Sequence, residues 1–167
     1  MVRFKNRFLL FHIHYEGTPN CAPPPIDTTL HGGHISSVLK ESILLNFGDF
    51  GAGIAATSTG VKYFSPYTST GIIRCSRDHY QMVWAALTFV TTLRGRNVLF
   101  RVVHVGGTIK GVQQEAMELD KKLLNELETT GVITASQTDL LLEKARTEIE
   151  AVDASGKGGQ KSLHLPM

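Results

Sequence analysis

"VKYFSPYTSTGIIRCSRDHYQMVWAAL", Val61 to Leu87, decides the fold. Two strand-like runs, Ile54 to Phe64 and Thr70 to Ser76, flank the turn-forming segment Ser65 to Ser69. Two such runs around a short turn predict a hairpin. Ser76 then stands where a helix N-cap belongs, because its hydroxyl accepts from an early backbone N–H. Tyr80, Val83, Trp84, Leu87 and Val90 follow at helical spacing. Strand, strand, helix is the centre of a split β-α-β arrangement.

Upstream, apolar residues at 35, 38, 39, 43, 44 and 47 predict a helix that "FGDFGAG" (Phe47 to Gly53) stops with glycine. Residues 17–33 hold four of the six prolines and read as a loop. Residues 3–15 read as the first strand. Apolar side chains on both of its faces from Phe8 to Phe11 place it inside a sheet. Downstream, Arg94 to Asn97 break the helix and Val98 to Val105 reads as the last strand. A third helix is expected from about Thr108, with Ile109, Val112, Ala116, Leu119, Leu123 and Leu127 in a seven-residue rhythm. A fourth is expected from Ser136, capped with Asp139. The order β-α-β-β-α-β with extra C-terminal helices predicts an α+β, ferredoxin-like or RRM-like sandwich with helices on one sheet face. One domain over residues 1–150 is expected, followed by a Gly/Ser/Lys-rich tail, 151–167, read as disordered.

Composition narrows the function classes. At 42% hydrophobic, 167 residues suffice for a core without disulfides. Cys21 and Cys75 are too few for a disulfide framework or a zinc site. No run of about 18 apolar residues occurs, so no membrane helix is expected. A secretory leader is not expected either, because the apolar run of "MVRFKNRFLLFHIHYEG" is short and broken by histidines. Residues 1–112 carry 11 Lys/Arg against 5 Asp/Glu, and residues 113–167 carry 6 against 10. A body at +6 beside an acidic C-terminal part at −4 points to an anionic partner for the body.

"VVHVGGTIKG", Val102 to Gly111, runs from a strand through two glycines into a helix. Backbone amides at such a turn can face a phosphate, and Lys110 adds a full charge. A Walker loop is excluded, since Val112 and Gln113 stand where Lys and Ser/Thr belong. No G-x-G-x-x-G is present. A turn that merely lets the chain bend explains the glycines equally well. Arg3, Lys5 and Arg7 alternate at strand period, which suits either tracking a phosphodiester backbone or keeping a strand start soluble. His31 and His34 lack the partners of a metal site, and no catalytic constellation is found. The strand "TGIIRCS" offers no aromatic for base stacking. RNA, if bound, is therefore held by backbone contacts and shape, with Lys62, Tyr63 and Arg74 as sheet contributors and packing the expected main role of Tyr63. The helix-three stripe outruns one sheet, so Leu119, Leu123 and Leu127 are candidates for a protein interface, with a core role left open.

"MVRFKNRFLLF", "GDFGAG", "VKYFSPYTSTGIIRC", "VWAAL" and "VHVGGTIKGVQ" occur in this order at spacings that resemble the Pop-five type protein subunits of eukaryotic ribonuclease P and ribonuclease MRP. The resemblance covers residues 1–15 and 38–127. It implies a non-catalytic subunit of a particle whose RNA binds magnesium and cleaves, removing tRNA 5′ leaders and processing rRNA precursors. No cofactor on this chain is implied. The implied partners are the ribonuclease P/MRP RNA, a TIM-barrel-like subunit, a sibling α/β subunit and other proteins of the particle. The implied location is the nucleus and nucleolus. On the matching positions, RNA contact falls to Arg3, Lys5, Arg7, Lys62, Arg74, Gly106, Gly107, Thr108 and Lys110, and packing to Phe64, Ile72, Ile73 and Trp84. Two other readings stay in view: a protein scaffold with little RNA contact, and a ferredoxin-like domain that senses a small molecule.

Overall fold

Apolar residues on both faces of β1 (Asn6–Tyr15) do place it at the centre of a sheet. The structure, a computed structural model, describes residues 4–17 and 26–152. Expectations for Arg3, Cys21, much of the proline-rich loop and the tail beyond residue 152 lie outside the described residues. The elements that follow β1 are α1 (Gly32–Ser58), β2 (Gly60–Ser65), β3 (Thr70–Ser76) and a single 3₁₀ turn (Arg77–His79). Then come α2 (Tyr80–Phe89), β4 (Thr92–Leu93), β5 (Arg96–Gly106), α3 (Ile109–Thr129) and α4 (Ala135–Glu150). The sheet order is β2-β3-β1-β5-β4 with every pairing antiparallel, the ferredoxin-like α+β arrangement plus a short extra strand.

Side-chain alternation sends the two faces of β1 to different partners. Leu9, Phe11 and Ile13, each 0% exposed, pack with Ile73, Cys75 and Phe100 beneath Ile35, Leu39 and Ile43 of α1 and Val83 and Leu87 of α2. Phe8 and Leu10 face the other way, joining Tyr63 and Ile72 under Val112 and Ala116 of α3 and Ile149 of α4. The expected helices on one face are thus α1 and α2. The C-terminal pair covers part of the second face and makes a third layer. At its centre Asp120, 1% exposed, accepts from Tyr63 Oη at 2.6 Å, Thr68 Oγ1 at 2.8 Å and Thr70 Oγ1 at 2.5 Å. Burial pushes its carboxyl up, and the three hydroxyl donors pull it back. This network ties α3 to the β2-β3 hairpin.

Several boundaries differ from the sequence expectation for local reasons. The first helix does not stop at the glycines. Gly48 takes φ 65°, which kinks the helix, and α1 then continues because Ile43, Gly51 and Ala55 face one core. Ile54 to Ser58 is therefore helical, and β2 begins only at Gly60. Helix α1 also starts earlier, at Gly32. His31 Nδ1 accepts from Gly33 N–H, and the His34 ring accepts from His31 N–H, a capping box built from two imidazoles. Ser76 does cap, but it caps the 3₁₀ turn that precedes α2. Arg94 (φ 50°) and Gly95 (φ 78°) form a tight hairpin turn joining the unexpected β4 to β5, and β4 pairs only with Asn97 and Arg96. Helix α4 is capped by Thr134 with Gln137, two residues ahead of the expected Ser136 and Asp139.

A candidate nucleic-acid interface

The register gathers the predicted cations at one end of the sheet. Arg7 pairs with Cys75, while Phe8 pairs with Arg74 on one side and Gly106 on the other. The start of β1, the end of β3 and the end of β5 therefore meet. The Cys75 thiol lies within the field of both Arg7 and Arg74: burial pushes it up to about 12, against the pull of the two guanidiniums. A Cβ on Gly107 would sit 3.2 Å from Arg7 Nη1, so the guanidinium lies against the glycine turn. Lys5 is exposed, and its carbonyl accepts from Arg77 N–H at 2.9 Å. Arg77 thereby joins the group. Lys110 is exposed in the first turn of α3, whose leading N–H groups have no intrahelical acceptor. Lys62 lies at the β2 irregularity between Val61 and Tyr63, two residues from Gly60, which pairs with Arg74.

The glycine pair divides its roles. A Cβ on Gly106 would meet Val112 Cγ2 at 2.3 Å, so glycine is required there for α3 to pack on the strand end. Gly107 is exposed, with only Arg7 close by. Neither glycine has a positive φ. The chain bends at Gly107 and Thr108, and Thr108, itself extended, occupies the N-cap without a side-chain cap bond. Structural necessity and an open amide-bearing turn thus sit on adjacent residues.

Two features of this end of the sheet escaped the sequence reading. Arg77 follows Arg74 by three residues in "RCSR", a visible signal passed over because it falls in the turn before a helix. Trp84, expected to pack, is 39% exposed and lines a groove with Arg7, Tyr80, Val102, His104 and Val105. An indole and a phenol beside a guanidinium suit nucleic acid better than bare charge does, since they can bear on sugars and bases. Tyr63, in contrast, is buried against Asp120, in agreement with a packing role. Phe64 is partly buried at the edge of the first core, and Ile72 and Ile73 are fully buried.

At Leu127 the helix-three stripe takes the core role that the sequence left open. The buried ridge is Val112, Ala116, Asp120, Leu124 and Leu127. Leu127, 0% exposed, packs with Leu124 and Ile133 against Leu141 and Leu142 of α4. Leu119 is partly buried on the second-face core, and Leu123 is half-buried. The chain's own α4 takes the place assigned to a partner at Leu127. Among the described residues no group of three or more His, Cys, Asp or Glu is placed to hold a metal ion.

A model of the Rpp14/Pop5 family matches residues 7–117. The chain is 42% identical over 130 residues to the ribonuclease P/MRP protein subunit POP5 of Schizosaccharomyces pombe, covering 76% of this chain and 94% of that one. It is 34% identical to the human POP5 subunit over 74% of this chain and 75% of that one. Against POP5 of Saccharomyces cerevisiae it is 32% identical over 85% of this chain and 90% of that one. The matched span runs from Arg7 through the glycine turn into α3, and so contains most of the basic end of the sheet. The chain belongs to the Rpp14/Pop5 family.

Proposed function

We propose that this chain is a non-catalytic protein subunit of the ribonuclease P and ribonuclease MRP ribonucleoproteins. It binds and stabilises their catalytic RNA for tRNA 5′-leader removal and rRNA precursor processing. The observation that carries this reading is the placing of Lys5, Arg7, Arg74, Arg77 and Lys110 at the one end of the sheet where β1 starts and β3 and β5 end, within a family whose relatives bear that name. Magnesium belongs to the RNA in this reading. The RNA, a TIM-barrel-like subunit and a sibling α/β subunit are the partners, in the nucleus and nucleolus.

Reversing Lys5, Arg7 and Lys110 to glutamate tests it. Each lost phosphate contact should flatten the slope of log K against log salt by roughly 0.7–0.9, so the triple variant should lose about 2 units of slope along with its affinity. Association of that variant with the RNA at the wild-type salt slope would overturn the assignment. A second reading, a protein scaffold with little RNA contact, draws on Leu45 at 83% and Phe50 at 78% exposure on α1. It predicts that Leu45→Asp abolishes complex formation while the charge reversals do nothing.

A further inference from the structure

Among the described residues, part of the second sheet face lies outside the cover of α3 and α4 and is bare. Their cluster with the sheet ends at Phe8, Leu10, Tyr63 and Ile72. The same face continues toward the far ends of β1 and β5, because register partners share a face: His12 stands opposite Arg101, and His14 opposite Leu99. Arg101 is exposed, and Leu99 is 54% exposed. His12 Nδ1 and His14 Nε2 are 3.2 Å apart, with their rings edge to face, so the deeper imidazole steadies the outer one. Burial first, and then the Arg101 charge, hold the His14 ring toward its neutral, aromatic form. His12 is held the same way, and its Nε2 has no hydrogen bond of ordinary geometry, although the Thr68 carbonyl lies near enough to pull weakly.

The charge environment favours an anion. Asp120 bonds Thr70, the β3 partner of His12, but it is closed off by three hydroxyls and by burial. Glu16 carries a negative charge at the outer end of the strip, where the Asn97 amide engages it, four residues along the chain from His12 and its Arg101 partner. An open depression running from His14 and Leu99 to Thr91 and Asn97 extends the strip outward. Inward, the same face of β5 leads through His104 to Gly106, about 23 Å from Leu99 at ~3.3 Å per residue. The strip is thus continuous with the basic end.

We infer that this bare strip is a second RNA contact, a seat for unpaired nucleotides in which Arg101 meets a phosphodiester and the His14 ring with the Leu99 side chain takes a base face. One guanidinium is too few to track a duplex backbone, whereas an imidazole and a guanidinium plane are the groups on which splayed bases stack. The inference rests on the RNA-binding reading but uses none of the residues that test it.

The experiment measures fluorescence anisotropy of the full chain with a labelled single-stranded RNA decamer and, separately, with a blunt RNA duplex. Arg101→Glu should weaken decamer binding about tenfold and His14→Ala about fivefold, with duplex binding changed less than about twofold, as loss of one stacked and neutralised nucleotide requires. Arg101→Gln and Leu99→Ser, both at exposed positions, carry the test if His14→Ala melts early. Wild-type decamer affinity in these variants, or equal losses on decamer and duplex, would overturn the strip as a single-strand site. The Lys5, Arg7 and Lys110 reversals report separately on the RNA-subunit reading, so failure of the strip is distinguishable from failure of that reading.

Discussion

The two faces of the sheet are held by different physics. Under α1 and α2 the buried cluster runs from Leu9 to Phe100 with hydrocarbon and aromatic contacts, beside a small polar contact in which Ser42 Oγ donates to the Ala86 carbonyl at 2.7 Å and accepts from Asn46 Nδ2 at 3.3 Å. Under α3 and α4 a small apolar cluster shares the interface with a buried carboxyl and three hydroxyls. Apolar burial is non-directional and tolerant, whereas a buried polar network is favourable only when every member is paired. The first face should therefore determine whether the chain folds. The second should determine whether its C-terminal cap stays seated.

The largest effect should come from the first face. Phe11→Ala empties a site between Phe64 and Phe100 and should cost about 3–5 kcal/mol, read as a global loss in chemical denaturation. A loss confined to α3 and α4 would contradict the division between the faces. Tyr63→Phe removes one donor from Asp120 and should cost about 1–3 kcal/mol. Hydrogen exchange should locate that loss in α3 and α4, with α1 and α2 protected as before. If all four helices lost protection together, the cap would be inseparable from the core.

An effect of similar size is a pH dependence on the second face. Burial, and then His14 and Arg101, lower His12 from 6.5 to about 4 against a weak pull from the Thr68 carbonyl. The folded chain keeps this ring neutral while the unfolded chain takes up a proton near 6.5. Its contribution is full above that value and is lost as pH falls toward 4. Allowing for the ring's partial exposure, the loss is about 2 kcal/mol. Asp120, His14 and Arg101 titrate or stand charged nearby, so the comparison is between wild type and His12→Gln. The denaturation midpoint of the variant should fall less between pH 7 and 4.5. Parallel curves for the two proteins would remove His12 from the account.

Legibility in the sequence followed the range of the interactions. The β3 strand and the Ser76 cap were readable because hairpin and cap chemistry is local. The continuation of α1 past Gly48 was not, because the kinked half is held by the burial of Ala55 and by the close seating of Gly51, where a Cβ would run into Phe47 and crowd Ile43 and Met82. Asp120 escaped the helix-three stripe because it is polar, and only its partners on Tyr63, Thr68 and Thr70, at least fifty residues away, make its burial sensible. The same long range hid α4 beneath Leu127. Of the interface, the alternating cations and the glycine turn were visible. That they share one end of the sheet with Arg77 and Trp84 required the strand order.

Strand β4 covers β5 only at Arg96 and Asn97, which leaves the longer outer margin of β5 without a neighbouring strand among the described residues. Such a margin invites sheet growth with whatever strand drifts past, a hazard of any open sheet edge. The irregularity that skips Val103 in the β1 register bends this margin, and the exposed Arg101 places a charge beside it. Together they make the rim a poor template for another flat strand, so the open flank of the sheet can remain in water without seeding aggregates.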